Sequence, residues 1–153
     1  MKKPIIVLML LITMLIPVAS ADVVNDLSVA VNEYNENADQ VPSFLKSLLG
    51  DEVVKLVIMT NDGEEIYIKA ITEDAYITTF EEVDADTEIG ETIIVGTSED
   101  TVLEILSSDD PLGTFLDAKD NGEIVIEPVG LTNSVTFAVA NVLLKLTQLL
   151  GLV

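Results

Sequence analysis

Hydrophobic and polar positions along the chain change period several times, and each change marks an element. The first stretch is an almost unbroken apolar run from Ile5 to Ile16, preceded by Lys2 and Lys3 and followed by Ala19-Ser20-Ala21 just ahead of Asp22. A short positive start, an apolar centre and a small-residue end make the pattern of a removable secretory signal, so residues 1–21 are expected to be cleaved. The uncharged stretch from Pro4 to Ala21 approaches the length of a membrane span, but Pro17 and the Ala-Ser-Ala end favour cleavage over anchoring. No stable membrane insertion is expected once the signal is gone.

From Val23 to Tyr34 the apolar residues Val23, Val24, Leu27, Ala30, Val31 and Tyr34 recur at helical spacing, which predicts an amphipathic first helix over 23–35. Ser43 to Leu49 follows as a short helix, with Gly50 expected to close it in a left-handed cap. The period then shortens. Val53 to Thr60 is a β-branched run, Asn61-Asp62-Gly63-Glu64 has hairpin-turn chemistry, and Glu65 to Thr72 alternates, with Ile66, Ile68 and Ala70 on one face and Tyr67, Lys69 and Ile71 on the other. These two strands are expected to pair as a hairpin. Glu73-Asp74 turns the chain into a third strand, Ala75 to Glu81, and beyond the acidic loop Glu82 to Glu91 comes a fourth, Thr92 to Gly96.

Helical spacing then returns. Thr97-Ser98-Glu99-Asp100 has the form of a capping box, in which a hydroxyl accepts an orphan amide and an acid three residues on returns the bond. Val102, Leu103, Ile105 and Leu106 form the stripe behind it. Asp109-Asp110-Pro111 caps another helix with Leu112, Phe115 and Leu116 facing inward, and Asn121-Gly122 ends it. Glu123 to Val129 is a fifth strand whose Pro128 places its end at a sheet edge. From Thr132 a long apolar helix runs to Leu150. Its stripe of Val135, Ala138, Val139, Val142, Leu143, Leu146, Leu149 and Leu150 is opposed by a second one of Phe137, Ala140 and Leu144, so both sides need a neighbour. No repeat, low-complexity tract or long linker divides the chain, and residues 22–153 are expected to form a single α+β domain.

The order helix, helix, four strands, two helices, strand, helix resembles the sterol carrier protein family. The likeness is carried best by Ser98-Glu99-Asp100, Asp110-Pro111-Leu112, Phe115, Ala118-Lys119, Glu123-Ile124-Val125-Ile126 and Gly130, and covers about Val41 to Leu146. This sequence departs from the family in having Ala118 before Lys119, where a Gly is usual, and in the short insertion Asp120-Asn121-Gly122. The resemblance implies a five-stranded, mainly antiparallel sheet covered on one face by about five helices around an apolar ligand tunnel.

Composition narrows the chemistry. The chain of 153 residues has 27 acidic and 7 basic residues, a net charge of −20, and no His, Cys or Trp. Once Lys2 and Lys3 leave with the signal, the bases are Lys46, Lys55, Lys69, Lys119 and Lys145. Five scattered lysines among so many carboxylates exclude nucleic acid as a partner and disfavour anionic membrane surfaces. Without His or Cys there is no usual zinc, haem or iron–sulfur site and no Ser–His or Cys–His nucleophile pair. The carboxylate groups Asp62/Glu64/Glu65, Glu81/Glu82/Asp84/Asp86/Glu88 and Asp117/Asp120/Glu123 fit no calcium loop, since Lys119 stands where a ligand belongs. They read as a solvated acidic surface, and no metal, cofactor or enzymatic activity is expected.

What remains is an apolar site. Lipid tails need no polar motif, because each buried CH₂ contributes about 0.8 kcal/mol. The candidate lining residues are Val102, Leu106, Phe115 and Leu116 on the helix pair, Phe80 on the sheet, and Phe137 and Leu144 on the last helix. The leading expectation is an exported, non-catalytic carrier of a hydrophobic small molecule such as a lipid, fatty acid or isoprenoid. The alternative is a structural or interaction protein of the cell envelope that self-associates as a homo-oligomer through its C-terminal helix.

Overall fold

The computed structural model describes residues 20–41, 43–130 and 143–146. Residues 1–19 of the expected signal 1–21, Phe137 and most of the expected helix 132–150 lie outside these residues. The elements in chain order are α1 (Ser20–Glu36), a 3-10 turn (Ala38–Gln40), α2 (Ser43–Leu49), β1 (Val53–Met59), β2 (Glu65–Glu73), β3 (Tyr76–Val83), β4 (Ile93–Ser98), α3 (Glu99–Ser107), α4 (Pro111–Asp120) and β5 (Val125–Pro128). Residues 143–146 form a further helical turn. The α+β class follows directly from this order, which has four α-helices among the described residues, the expected fifth, 132–150, lying mostly outside them.

The strands form a single five-stranded sheet in the order β3-β2-β1-β4-β5. Three of its four ladders are antiparallel, and β1 with β4 is parallel. That parallel rung follows from the β3–β4 connection, because a chain that leaves one edge to reach a parallel strand beyond β1 must cross a face of the sheet. The β1–β2 hairpin forms as expected, with Leu56 opposite Ile68 and Val57 opposite Tyr67. The turn between β2 and β3 uses two non-glycine residues at positive φ, Asp74 at 51° and Ala75 at 68°, the backbone of a type I′ hairpin turn. Gly50 has no positive φ, so the left-handed cap expected there is absent, and among the described residues the positive-φ glycines are Gly63, Gly90 and Gly122.

Each face of the sheet carries an apolar cluster. On one, Leu56, Ile58, Ile66, Ile68 and Phe80 pack against Val23, Val24 and Leu27 of α1 and Val102 and Leu106 of α3. On the other, Val57, Tyr67, Ile94, Val83 and Val125 pack with Val129, Leu143 and Leu146. The expected cover on one face is supplied by α1 and α3, and the helical turn at 143–146 lies across the sheet from them. Alternation along a strand defines two faces but does not say which helix takes which. At the outer edge of the sheet the amide side chain of Asn35 donates from Nδ2 to the carbonyl of Ile77 at 2.8 Å, and its Oδ1 accepts the Ile77 N–H at 2.8 Å. Tyr34 adds a hydrogen bond to the carbonyl of Ala75 at 2.7 Å. Helix α1 is thus fastened to β3 by side chains of adjacent residues.

Candidate apolar site and the charged row behind it

The helix pair is set in place by its caps. Ser98 is the N-cap of α3, and its Oγ accepts the N–H of Thr101 at 3.2 Å. The cap therefore starts one residue later than the expected capping box, and the acid does something else. Glu99, buried, accepts the backbone N–H of Asn61 at 2.9 Å, while the Asn61 side chain donates to Asp100 at 2.9 Å. The start of α3 is thereby pinned to the β1–β2 turn. Asp110 caps α4 as expected, its Oδ1 accepting the Gly113 N–H at 3.1 Å, with Pro111 in the first turn. A Cβ at residue 113 would collide with that carboxylate, so glycine is what lets the cap close.

Three of the seven candidate lining residues meet here, and two more stand on the neighbouring helix. Phe80, Val102 and Leu106 meet in the cluster on the α1/α3 face. Phe115 and Leu116 stand on α4, which packs against α3. Burial within this group is uneven. Val102 is buried, whereas Leu103, Ile105 and Leu106 on α3, Leu112, Phe115 and Leu116 on α4, and Phe80 on the sheet are only half-buried. Leu144 is not brought to them: it is 50% exposed on the turn whose Leu143 and Leu146 pack on the opposite sheet face. Phe137 lies outside the described residues.

On that opposite face charged side chains lie among the apolar ones. Lys55 is 4% exposed, its Nζ lying 3.7 Å from Glu91, 5.6 Å above the Tyr67 ring and 3.3 Å from the Ala85 carbonyl to which it donates. Lys69, its cross-strand partner, lies 3.5 Å from Glu81. Tyr67 donates its hydroxyl to Glu65 at 2.5 Å, and burial, followed by that hydrogen bond, pushes its phenol from 10.0 up to about 12. The signal was available in β1. A lysine inside the run Val53 to Met59, apolar on both faces, has no solvent side to turn to and needs a buried acid.

Among the described residues no group of three or more acids is arranged to hold a metal ion, and no helix is long and apolar enough to cross a membrane. No family model matches the sequence, and no curated protein matches it. Among solved structures the chain is similar to a conserved hypothetical protein of Thermus thermophilus described as possibly a sterol carrier protein, at 11% identity and a TM-score of 0.46, covering 88% of this chain and 87% of that one. It is similar also to a ubiquinone synthesis protein of the SCP2 type, at 9% identity and a TM-score of 0.43, covering 84% and 97%. A third is the sterol carrier protein 2 like 2 of Aedes aegypti, at 15% identity and a TM-score of 0.37, covering 74% and 95%.

Proposed function

We propose that this chain is an exported, non-catalytic binding protein for a hydrophobic small molecule, gripped between the sheet and the α3–α4 pair. One observation carries the reading: the large apolar side chains of that region, Leu106, Leu112, Phe115, Leu116 and Phe80, all stop at half-burial beside a closed core of Ile58, Ile68 and Val102. Fully buried core side chains interdigitate without gaps, whereas a site for an apolar ligand leaves its lining short of contacts that the ligand then completes. Selectivity in such a site comes from shape and length, and no proton or electron has to move.

Native mass spectrometry of the chain produced with its own signal tests this. The expected result is an N-terminus at Asp22 and a stoichiometric added mass that organic extraction removes. A bare monomer that takes up no fluorescent fatty acid or alcohol overturns the carrier. A bare, stable oligomer that falls apart when the chain is cut after Leu150 replaces it with self-association through the C-terminal helix.

A further inference from the structure

No stretch of free chain separates the expected scissile bond, Ala21–Asp22, from the folded domain. Helix α1 begins at Ser20, so the bond falls within its first turn. One residue beyond Asp22, Val23 is fully buried in the cluster that holds Ile58, Ile68 and Val102. Val24 and Leu27 pack against the same cluster. At the far end of α1, Tyr34 and Asn35 are hydrogen-bonded to Ala75 and Ile77. The helix is thus held at both ends, and the end that carries the bond is closed by a core side chain.

A peptidase cuts a bond whose flanking residues are drawn out as an extended strand, and a folded protein offers that shape only in its opened fraction. From Ala21 to Val23 an α-helix rises about 3 Å, and full extension gives about 7 Å. Neither distance admits an enzyme between the bond and the sheet, so Val23 has to leave the core before the bond can enter an active site. Withdrawing a fully buried valine forfeits its burial, which sets the expected slowing of cleavage at about tenfold or more. We infer that cleavage of the leader and docking of α1 on the sheet exclude one another. The bond is cut while α1 is still undocked, and a chain that folds first keeps its leader, with the apolar run Ile5 to Ile16 still attached. The inference rests on the export reading and adds an order of events to it. Val23 sets that order, because the peptidase and the core both require it.

The test gives a purified signal peptidase the full chain in detergent micelles, with the new N-terminus read by sequencing. Wild type is supplied either folded or freshly diluted from urea, so that in the second case cleavage competes with folding. A variant with Gly-Ser-Gly-Ser-Gly-Ser inserted between Asp22 and Val23 leaves the leader and its cleavage end intact and carries the bond about 20 Å from the core. Folded wild type is expected to be cut about tenfold or more slowly than the folded insertion variant, and more slowly by the same factor than wild type diluted from urea. Equal rates for folded and urea-diluted wild type overturn the inference and leave the export reading standing. This comparison needs no variant, so it holds whether or not the insertion is tolerated. If no preparation, the insertion variant included, yields a product beginning at Asp22, the export reading falls and the inference with it.

Discussion

The two faces of one sheet are built on different physics. Toward α1 and α3, the rungs present Leu56, Ile58, Ile66, Ile68 and Phe80 to other hydrocarbon, with Glu82, opposite Ile68, left exposed on the edge strand. One residue along each strand, the opposite face mixes Val57 and Ile94 with Lys55, Lys69, Tyr67 and Glu81. On the hydrocarbon face every contact is interchangeable in kind, so stability follows the area and volume filled. On the charged face stability rests on partners, and losing one partner costs more than losing both.

The largest effect expected from this contrast is on the charged face. Lys55→Met leaves Glu91 buried without a cation and should cost about 4 kcal/mol in chemical denaturation, most of which the addition of Glu91→Gln restores. Recovery of less than half would mean that Lys55 is held by its stem packing rather than by its charge. Ile58→Ala on the hydrocarbon face should cost about 3 kcal/mol, with no second-site partner able to return it short of refilling the volume. The smallest effect concerns Tyr67. Because its folded phenol is raised to about 12 from 10.0, its contribution is intact below the unfolded value and is lost as pH climbs between the two. Tyr67→Phe should therefore flatten the alkaline limb of the stability curve and leave the neutral region nearly unchanged; a limb of the same slope would place the alkaline transition elsewhere.

Local chemistry was readable in the sequence wherever the deciding partners were neighbours. Asp110-Pro111 announced α4 because the capping carboxylate and its amide are three residues apart. The alternation of Ile66, Ile68 and Ala70 with Tyr67, Lys69 and Ile71 announced both faces of β2, since side chains on a strand switch sides at every step. The acid of the expected capping box, Asp100, instead accepts from the Asn61 side chain, and its neighbour Glu99 accepts the Asn61 N–H, because Asn61, 38 residues before Glu99, comes into contact only after the sheet has formed. The candidate site was legible in part for the same reason. Val102, Leu106 and Phe80 came together as apolar residues of one stripe and one strand face should, but the sheet that separates them from Leu144 is a product of chain crossing, to which helical periodicity is blind. Lys55 stayed hidden because its partner Glu91 lies within an acidic stretch that looks like solvent-facing surface.

Asn35 carries a consequence beyond fastening a helix. The outermost strand of an open sheet offers unpaired N–H and C=O groups to any extended chain that drifts by, which is how folded proteins begin to stack into fibres. By filling both the donor and the acceptor of Ile77 with one carboxamide, α1 imitates the next strand and occupies that rung. A visiting chain would find the ladder interrupted near the start of β3, so Asn35 guards the molecule against copies of itself at a position where no charge has to do so.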